Sequence, residues 1–290
     1  WPSVAAATAC SWRRRARHRQ RRRLLFREKC LKSDAIHRGW RAVAVLLCGL
    51  LLCLPALAAR DTVRLGVQLE PPMLDPTATA AATAGEIVYA NVLEGLTVID
   101  GKGRVAPRLA TDWVRAPDGL SYTFTLRRGV RFHDGKPFDA SVAAASLRRI
   151  LAPGSRNPQK QWFEKIAGVQ ALGSHQLVIG LHQPDALLPF ALALPAALIV
   201  HPDSAAGNAT QPVGTGPFRF GEWQRGHSVR IDRHTGYWGR KPALRSATFV
   251  FLSSSAETEN MLAEGRLDWL GSVTKMTGSF MERPDYRMGS

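Results

Sequence analysis

The chain has 290 residues, of which 45% are hydrophobic, and a formal net charge of +16 from 39 Lys/Arg against 23 Asp/Glu. The basic excess is concentrated in residues 1–58, which hold 13 of the Lys/Arg and 2 of the Asp/Glu, so residues 59–290 hold 26 and 21 and carry only +5. This distribution argues against a basic nucleic-acid-binding domain in the main part of the chain. The arginine run at residues 13–23 would otherwise indicate a nucleic-acid or membrane surface.

Residues 31–58 have the three parts of a secretory signal peptide. A basic flank precedes an apolar run at residues 42–57 and a small-residue cleavage site, ALA, at residues 56–58. The alternative is a membrane anchor, but this run has 16 residues and a span needs roughly 20. Cys48 and Cys53 each follow Leu, where a lipoprotein signal has a small residue, so we expect a soluble product exported to the periplasm.

The part of the chain before this signal is interpreted separately. The first methionine is Met73, so we interpret residues 1–30 as a non-native upstream extension. All four cysteines precede residue 59, which predicts an exported part without disulfides or thiolate metal sites. Residues 59–290 are numerous enough to build a core without such cross-links.

The exported part opens with a predicted strand and a predicted helix. Apolar and polar side chains alternate over residues 62–69 (TVRLGVQL), which is typical of a strand. Residues 86–98 have mixed helical spacing and predict a helix followed by an apolar run. Asp100 and Gly101 predict a turn after it.

The most informative stretch is YTFTLRRGVRFHDGKPF at residues 122–138. Its alternation predicts a strand that starts at Tyr122, a turn, a short strand at residues 130–132 and a second turn. Asp139 can then cap a helix over residues 140–151, which stops at Pro153 and Gly154.

Three more elements are predicted between this helix and the next group of strands. Residues 161–169 predict a short helix, residues 176–181 a strand, and Asp185 can cap a helix from Ala186. Strands resume after the segment GTGPF at residues 214–218.

The last predicted elements complete a mixed α/β order, which we interpret as an architecture of two lobes. Ser254 and Glu257 form a capping-box pair before a helix that ends at Gly265. Residues 267–270 predict a final short strand.

Several segments resemble the solute-binding proteins of peptide and nickel ABC importers, and they occur in the order that is typical of that family. The segments are YTFTLRRGVRFHDGKPF (122–138), LDP (74–76), LEGL (93–96), APRLATDW (106–113), GTGPF (214–218), YWGRKP (237–242) and AEGRLDW (263–269). Together they cover nearly all of residues 63–273. Residues 138–166 look most like the nickel-binding branch.

The resemblance implies a periplasmic binding protein-like two-lobe fold (type II, class C), with lobe I built from residues 59–96 and 199–275. Residues 97–198 would form a domain inserted between those two pieces. Residues 276–290 would begin a second ligand-binding lobe that is missing, so the fold would be incomplete. We expect residues 59–290 alone to bind ligand poorly, because half of the clamp is absent.

The resemblance also places candidate ligand-binding residues at the cleft: Glu70, Met73, Glu86 and Trp162. A Trp face can hold a cationic or planar ligand, and Glu86 could meet a positive group such as a peptide amino terminus. The alternatives are that Trp162 packs in the core or an interface and that Glu86 is an exposed carboxylate of a first helical turn. Ala196 stands where the nickel-binding branch has Arg, which weakens the case for an anionic chelate.

Other motifs are weaker. GTGPF lacks the Lys and Ser/Thr of a phosphate-binding loop, so its glycines are interpreted as permitting a tight crossing between lobes. His133 and Asp134 are interpreted as a strand end and a turn. We therefore predict no catalytic residues, no metal site and no cofactor.

The leading functional hypothesis is the solute-binding component of an ABC importer. It would act as a monomer, bind a small peptide or a metal chelate and deliver it to a permease in the inner membrane, without binding nucleic acid. The alternative is a periplasmic hydrolase, for which neither G-x-S-x-G nor H-E-x-x-H is present in the sequence. A nucleic-acid binder would require residues 1–30 to be retained.

Overall fold

The computed structural model describes residues 60–270. Besides the helices and strands given next, two short 3₁₀ turns occur, at Lys160–Phe163 and Pro195–Ala197. The helices and strands are β1 Thr62–Val67, α1 Ala82–Val88, β2 Thr97–Ile99, β3 Val105–Pro107, β4 Ala110–Arg115, β5 Ser121–Leu126, α2 Ala140–Leu151, β6 Ile166–Leu172, β7 Gln176–Leu181, α3 Leu188–Ala191, β8 Phe218–Gln224, β9 Ser228–Arg233, β10 Ser246–Phe251, α4 Ser255–Ala263 and β11 Trp269–Leu270.

A five-stranded sheet has the order β11-β1-β10-β9-β8. The pairs of β1 with β10 and β11 are parallel, whereas β10, β9 and β8 form an antiparallel meander. Its apolar side chains pack with Ile87 and Val88 of α1 and with Leu74 into one core. The predicted strand at residues 62–69 is thus confirmed, and it ends at Val67.

The second sheet has four antiparallel strands in the order β4-β5-β7-β6. Tyr122, Phe124 and Leu126 of β5 are all buried, as their alternation predicted. They share a core with Leu147 and Ile150 of α2. The predicted strand at residues 176–181 also has the predicted bounds.

Helix α2 is the element that the sequence predicted best. The Asp139 side chain accepts a hydrogen bond of 2.9 Å from the Val142 N–H, which caps the first turn. The helix ends at Leu151, before Pro153, as predicted. The same cap chemistry starts α4, where Ser254 Oγ accepts from the Glu257 N–H at 3.2 Å.

Helix α1 differs from its prediction. It covers Ala82–Val88 rather than starting at Glu86, and Tyr89 leaves the helical conformation with a ψ of 127°. Ala90 then adopts a positive φ of 57°. The apolar residues that follow are irregular because their carbonyl groups bond to a distant segment: Asn91 O accepts from the Phe218 N–H at 2.9 Å.

Three further predictions were wrong in part. Residues 130–132 form only an isolated bridge, between Arg131 and Pro137, rather than a short strand. Residues 161–169 contain the end of a 3₁₀ turn and then enter β6, because the backbone from Ile166 onward pairs with β7.

The third concerns Asp185. Its Oδ1 accepts from the Leu187 N–H at 2.9 Å in a local turn, so α3 begins at Leu188 and not at Ala186. The final strand, predicted at residues 267–270, is confirmed for Trp269 and Leu270, the two residues of the described segment 264–270 that pair with β1.

Gly214 and Gly216 permit a close crossing of backbone with residues 91–92, whereas the crossing between lobes predicted from GTGPF stays a prediction. The Gly216 N–H donates to Val92 O at 3.0 Å. A Cβ atom on Gly214 would lie 1.9 Å from Val92 O, and one on Gly216 would lie 2.3 Å from Asn91 O. Both distances are far below van der Waals contact, and the obstacle is backbone, so only glycine fits at either position.

No helix among residues 60–270 combines the length and the apolar character that crossing a membrane requires.

We predict that Gly214→Ala destabilises the protein by about 3 kcal/mol, because the new methyl group forces apart two backbone segments that are held by hydrogen bonds. Urea denaturation followed by circular dichroism measures the change in the free energy of unfolding. Gly101→Ala is the matched control, since a Cβ at Gly101 has no atom within 4 Å, and it should change stability by less than about 0.5 kcal/mol. Equal effects of the two substitutions would contradict the prediction.

Candidate functional site

A cavity of about 260 Å³ opens beside the start of α1. We call it the proline pocket. It is lined by Pro76, residues 79–82, Gly85, Pro158–Gln159 and Pro195–Ala196. Its walls are mainly prolyl rings and methyl groups with few polar groups among them, which is the usual composition of a small-molecule site.

Two long-range hydrogen bonds fix the far wall of the proline pocket. The Asn157 side chain, itself buried, donates to Ala196 O at 2.8 Å. The Tyr89 hydroxyl, just after α1, donates to Ala193 O at 2.9 Å. The segment around the Pro195 turn is therefore tied both to the end of α1 and to the segment that follows α2.

Glu86 and Trp162, two of the predicted site residues, do not line this pocket but lie one and three residues in sequence from residues that do. Glu86 is exposed on α1, one residue after the lining Gly85. Trp162 follows Gln159 in the 3₁₀ turn, is 37% exposed and packs against Phe190 with a centroid distance of 5.8 Å. One face of this indole thus contacts protein, and part of the ring stays open to solvent.

Glu70 and Met73 do not line the proline pocket. Glu70 is used inside the fold: its Oε1 accepts from Trp223 Nε1 at 2.8 Å and its Oε2 accepts from the Gly226 N–H at 3.0 Å. Arg225 lies 3.8 Å from the same carboxylate. These contacts connect the end of β1 to the β8–β9 turn. Met73 is partly buried in the loop that follows. Their assignment as ligand contacts stays a prediction.

Gln159 was missed by the sequence analysis. It lines the proline pocket, and its side chain makes no hydrogen bond to another of the described residues 60–270. Its amide is therefore available to a ligand. No local pattern pointed to it, because the pocket is assembled from three segments that are far apart in the chain.

The buried carboxylate of Glu94 was also missed. Its side chain is fully buried, yet it has four partners. Oε2 accepts from Thr215 Oγ1 at 2.8 Å and from Trp238 Nε1 at 2.9 Å. Oε1 accepts from the Tyr237 hydroxyl at 2.9 Å and lies 2.7 Å from Arg108 Nε, whose N–H does not point at it. Burial, together with the Glu94 charge, raises the pKa of Tyr237, which therefore stays a donor.

These partners come from four of the segments that carried the resemblance: LEGL holds the acid, and APRLATDW, GTGPF and YWGRKP hold the donors. Arg108 and Arg127 also lie over the Trp238 ring, 5.6 Å and 4.2 Å from its centroid. The segments recur together because they build one buried polar network. That network is structural and does not touch the proline pocket.

His133 joins the GTGPF segment to the loop before α2. Its Nε2 lies 3.0 Å from Gly216 O and its Nδ1 accepts from the Gly214 N–H at 3.3 Å, which is the pattern of a neutral ring. Burial, the His234 ring and Arg219 lower the pKa of His133 to about 4, against smaller opposing effects of Gly216 O and Asp134. It is thus a structural histidine.

Within residues 60–270, no group of three or more His, Cys, Asp or Glu side chains is arranged to hold a metal ion.

Residues 104–286 match the profile described as bacterial extracellular solute-binding proteins, family 5 Middle. The chain belongs to this family. The resemblance found in the sequence is thereby confirmed on more than half of the chain.

Two curated relatives illustrate the likeness. The glutathione-binding protein GsiB of Salmonella paratyphi A is 32% identical over 238 residues, which are 80% of this chain and 46% of the relative. The nickel-binding periplasmic protein of Escherichia coli K12 is 33% identical over 187 residues, 62% of this chain and 35% of the relative. The chain thus spans about half the length, or less, of these relatives.

Solved structures give the same fold. AgaA from A. tumefaciens R10, in complex with agropinic acid, is 29% identical with a TM-score of 0.67 over 71% of this chain and 43% of that chain. NikZ from Campylobacter jejuni, in complex with Ni(L-His), is 25% identical with a TM-score of 0.65 over 72% and 43%. The family members' fold, the mixed α/β type II two-lobe fold of periplasmic binding proteins, is therefore confirmed for the part of it that this chain covers.

We predict that Glu94→Gln lowers the free energy of unfolding by about 3 kcal/mol. The NH₂ group of the new glutamine side chain would face groups that are themselves hydrogen-bond donors, and Arg108 would lose its counter-charge. Urea denaturation measures this loss as a difference in the free energy of unfolding. Asp61→Asn is the control, because the Asp61–Arg245 pair is exposed and such pairs contribute less than about 1 kcal/mol. A Glu94→Gln variant as stable as the control would show that the network is not needed.

We also predict that His133 makes the protein less stable at mildly acid pH. Its folded pKa of about 4 lies below the unfolded value of about 6.5. The stabilisation is therefore complete above pH 6.5 and is lost as the pH falls towards 4. Between pH 7 and pH 5 the loss is about 2 kcal/mol.

The measurement is the difference in unfolding free energy between pH 7 and pH 5. His133→Gln should reduce this difference, whereas His182→Gln, on an exposed histidine, should leave it unchanged. His234 retains a smaller dependence of the same sign, because burial and the charges of Arg219 and Lys241 also lower its pKa. An unaltered difference in His133→Gln would contradict the prediction.

Proposed function

We propose that this protein is the ligand-binding component of an ABC importer and that it binds its ligand at the proline pocket. The observation that carries the proposal is this pocket, an apolar cavity whose lining includes Gln159 and Gly85. The partly exposed Trp162 follows Gln159 by three residues, and the exposed Glu86 directly follows Gly85. An indole face, an amide and a carboxylate around an apolar cavity suit a small ligand with a cationic or planar part.

The ligand is proposed to be a small peptide or a metal chelate. Relatives named for glutathione and for nickel support both classes, as does a solved structure in complex with Ni(L-His). Ala196 supplies only a methyl group and a carbonyl to the pocket, and that carbonyl already accepts from Asn157. Glu86, which follows the lining Gly85 and is exposed, would supply a negative charge that favours a ligand with an amino terminus.

The proposed domain arrangement follows from the two sheets. Residues 59–96 and 199–275 would form lobe I around the five-stranded sheet, and residues 97–198 would form the inserted domain around the four-stranded sheet. Lobe I would close on the ligand against a second lobe formed by other parts of the whole protein, starting at residues 276–290. These last residues lie outside the described part of the chain, as do the upstream extension at 1–30 and the signal peptide at 31–58.

The cellular role is proposed on the same basis. The protein would work in the periplasm as a monomer and deliver its ligand to a permease in the inner membrane. Ligand would shift the balance between open and closed forms through a higher affinity for the closed form. The binding step would leave the ligand chemically unchanged.

We predict that glutathione, Ni(II)–L-histidine or a dipeptide binds to the protein expressed from its whole reading frame, as measured by isothermal titration calorimetry. Trp162→Ala should weaken the binding about tenfold or more, because it removes the exposed aromatic wall. Trp269→Ala is the matched control, since Trp269 is 54% exposed in β11, at the edge of the five-stranded sheet.

Mass spectrometry of the recovered ligand completes the test. An unchanged ligand agrees with a binding protein, and its conversion would favour the hydrolase instead. Absence of binding for all three ligand classes, or equal weakening by both tryptophan substitutions, would contradict the proposal.

A further inference from the structure

A second cavity lies on the other side of the loop that borders the proline pocket. We call it the arginine pocket. Its volume is about 270 Å³, and its polar lining consists of Thr77, Arg149, Ser155 and Arg156. These side chains supply two guanidinium groups and two hydroxyls, and no carboxylate lines the cavity. The lining therefore presents donors and positive charge.

Arg149 is held in a fixed orientation at the end of α2. Its Nη2 donates to Thr77 Oγ1 at 2.5 Å, and its Nη1 lies 3.6 Å from Asp75 Oδ2. Thr77 is itself fixed, because its N–H and its hydroxyl both donate to Asp75 Oδ1, at 2.9 Å and 2.5 Å. This guanidinium thus needs little reordering to meet an anion, which favours binding.

The Arg149 Nε is a buried donor without a hydrogen-bond partner among residues 60–270. Buried donors are normally paired, so this one is unusual. The preceding residue shows the contrast: Arg148 uses Nε and Nη2 to donate to Val169 O, at 3.1 Å and 2.6 Å. Of two successive arginines, Arg148 donates to a carbonyl of the fold with its Nε, whereas Arg149 lines the cavity and keeps a buried Nε donor that is unpaired among residues 60–270.

The charges indicate which anion fits. Asp75 is buried and compensates Arg149. Arg156 is exposed and forms no ion pair with another described residue. Two guanidinium groups against one carboxylate leave a net positive charge at the cavity, and Lys160, whose Nζ donates to O of the lining Ala152 at 3.0 Å, adds to it. An anion balances this charge, and a carboxylate matches the planar fork of a guanidinium.

We propose that the arginine pocket binds a carboxylate group of a small organic molecule, with Arg149 and Arg156 as its cationic partners. Successive residues of one loop face the two cavities: Pro76 and Thr79 line the proline pocket, whereas Thr77 and Ala78 line the arginine pocket. A ligand in the proline pocket can therefore extend its carboxylate across this loop. That last step rests on the proposed function, but the anion affinity of the pocket does not.

The first test measures the pocket by itself, in the protein expressed from its whole reading frame. Sodium acetate is titrated at constant ionic strength while NMR follows the arginine Nε–H signals. We expect a saturable shift of the Arg149 signal, and an affinity for acetate that falls about tenfold in Arg156→Gln. Arg128→Gln removes the same charge from an exposed site elsewhere and should leave the affinity unchanged.

Three results of this test would overturn the inference: no saturable shift, an equal loss of affinity in both variants, or tighter binding of sulfate than of acetate. The last result would assign the pocket to a dianion instead of a carboxylate.

The second test separates the inference from the proposed function. Glutathione is compared with its form amidated at both carboxyl groups. The inference is supported if the wild type binds the amidated form more weakly than glutathione and if this difference in affinity is abolished in Arg156→Gln. Glutathione binding that leaves the Arg149 signal unmoved supports the proposed function and overturns the step in which the bound ligand extends its carboxylate into the arginine pocket. A response to acetate without any response to glutathione, Ni(II)–L-histidine or a dipeptide supports the site and counts against the proposed function.

Discussion

The buried carboxylate of Glu94 is the interaction on which the rest of this structure depends. An ionised acid removed from water is unstable unless donors replace the lost hydration. Its donors Thr215, Tyr237 and Trp238 lie 121, 143 and 144 residues further along the chain. Satisfying one carboxylate therefore requires the first and last thirds of the described chain to meet at one point.

This constraint also positions the candidate sites. The segment that carries Glu94 continues from α1, and the Ile199 N–H donates to Glu94 O at 2.9 Å, so α1 and the stretch after Pro195 are held at a fixed separation. The proline pocket lies between these two segments. The arginine pocket adds the end of α2. Both cavities thus have walls of sequence-distant segments whose spacing is set by buried hydrogen bonds.

Local rules predicted the elements that local chemistry controls. The alternation of Tyr122, Phe124 and Leu126 and the cap at Asp139 gave a strand and a helix with nearly the observed bounds. The helix prediction at Glu86 failed because the residues after Tyr89 use their carbonyl groups for contacts with Gly216 and Phe218. Such contacts are long-range and leave no periodic signature.

The residues of the candidate sites were likewise predictable only in part. Resemblance pointed to Glu86 and Trp162, which lie one and three residues in sequence from lining residues of the proline pocket, but it gave no indication of Gln159 or Arg149. These side chains become notable only through an unfilled hydrogen bond beside a cavity. That property depends on the positions of neighbours from separate segments, which no short motif encodes.

The central place of β1 has a consequence for biosynthesis. Its register pairs Val63 with Ala247 on one side and Leu65 with Trp269 on the other, so both partners are made long after it. Until then, an apolar strand with two open edges is present on the nascent chain. Such edges readily pair with other polypeptides. The strands of the four-stranded sheet are closer to one another in sequence, so that sheet can form earlier. Pairing of β1 would then be the slowest step of folding, and a chaperone that covers β1 would protect the chain during this step.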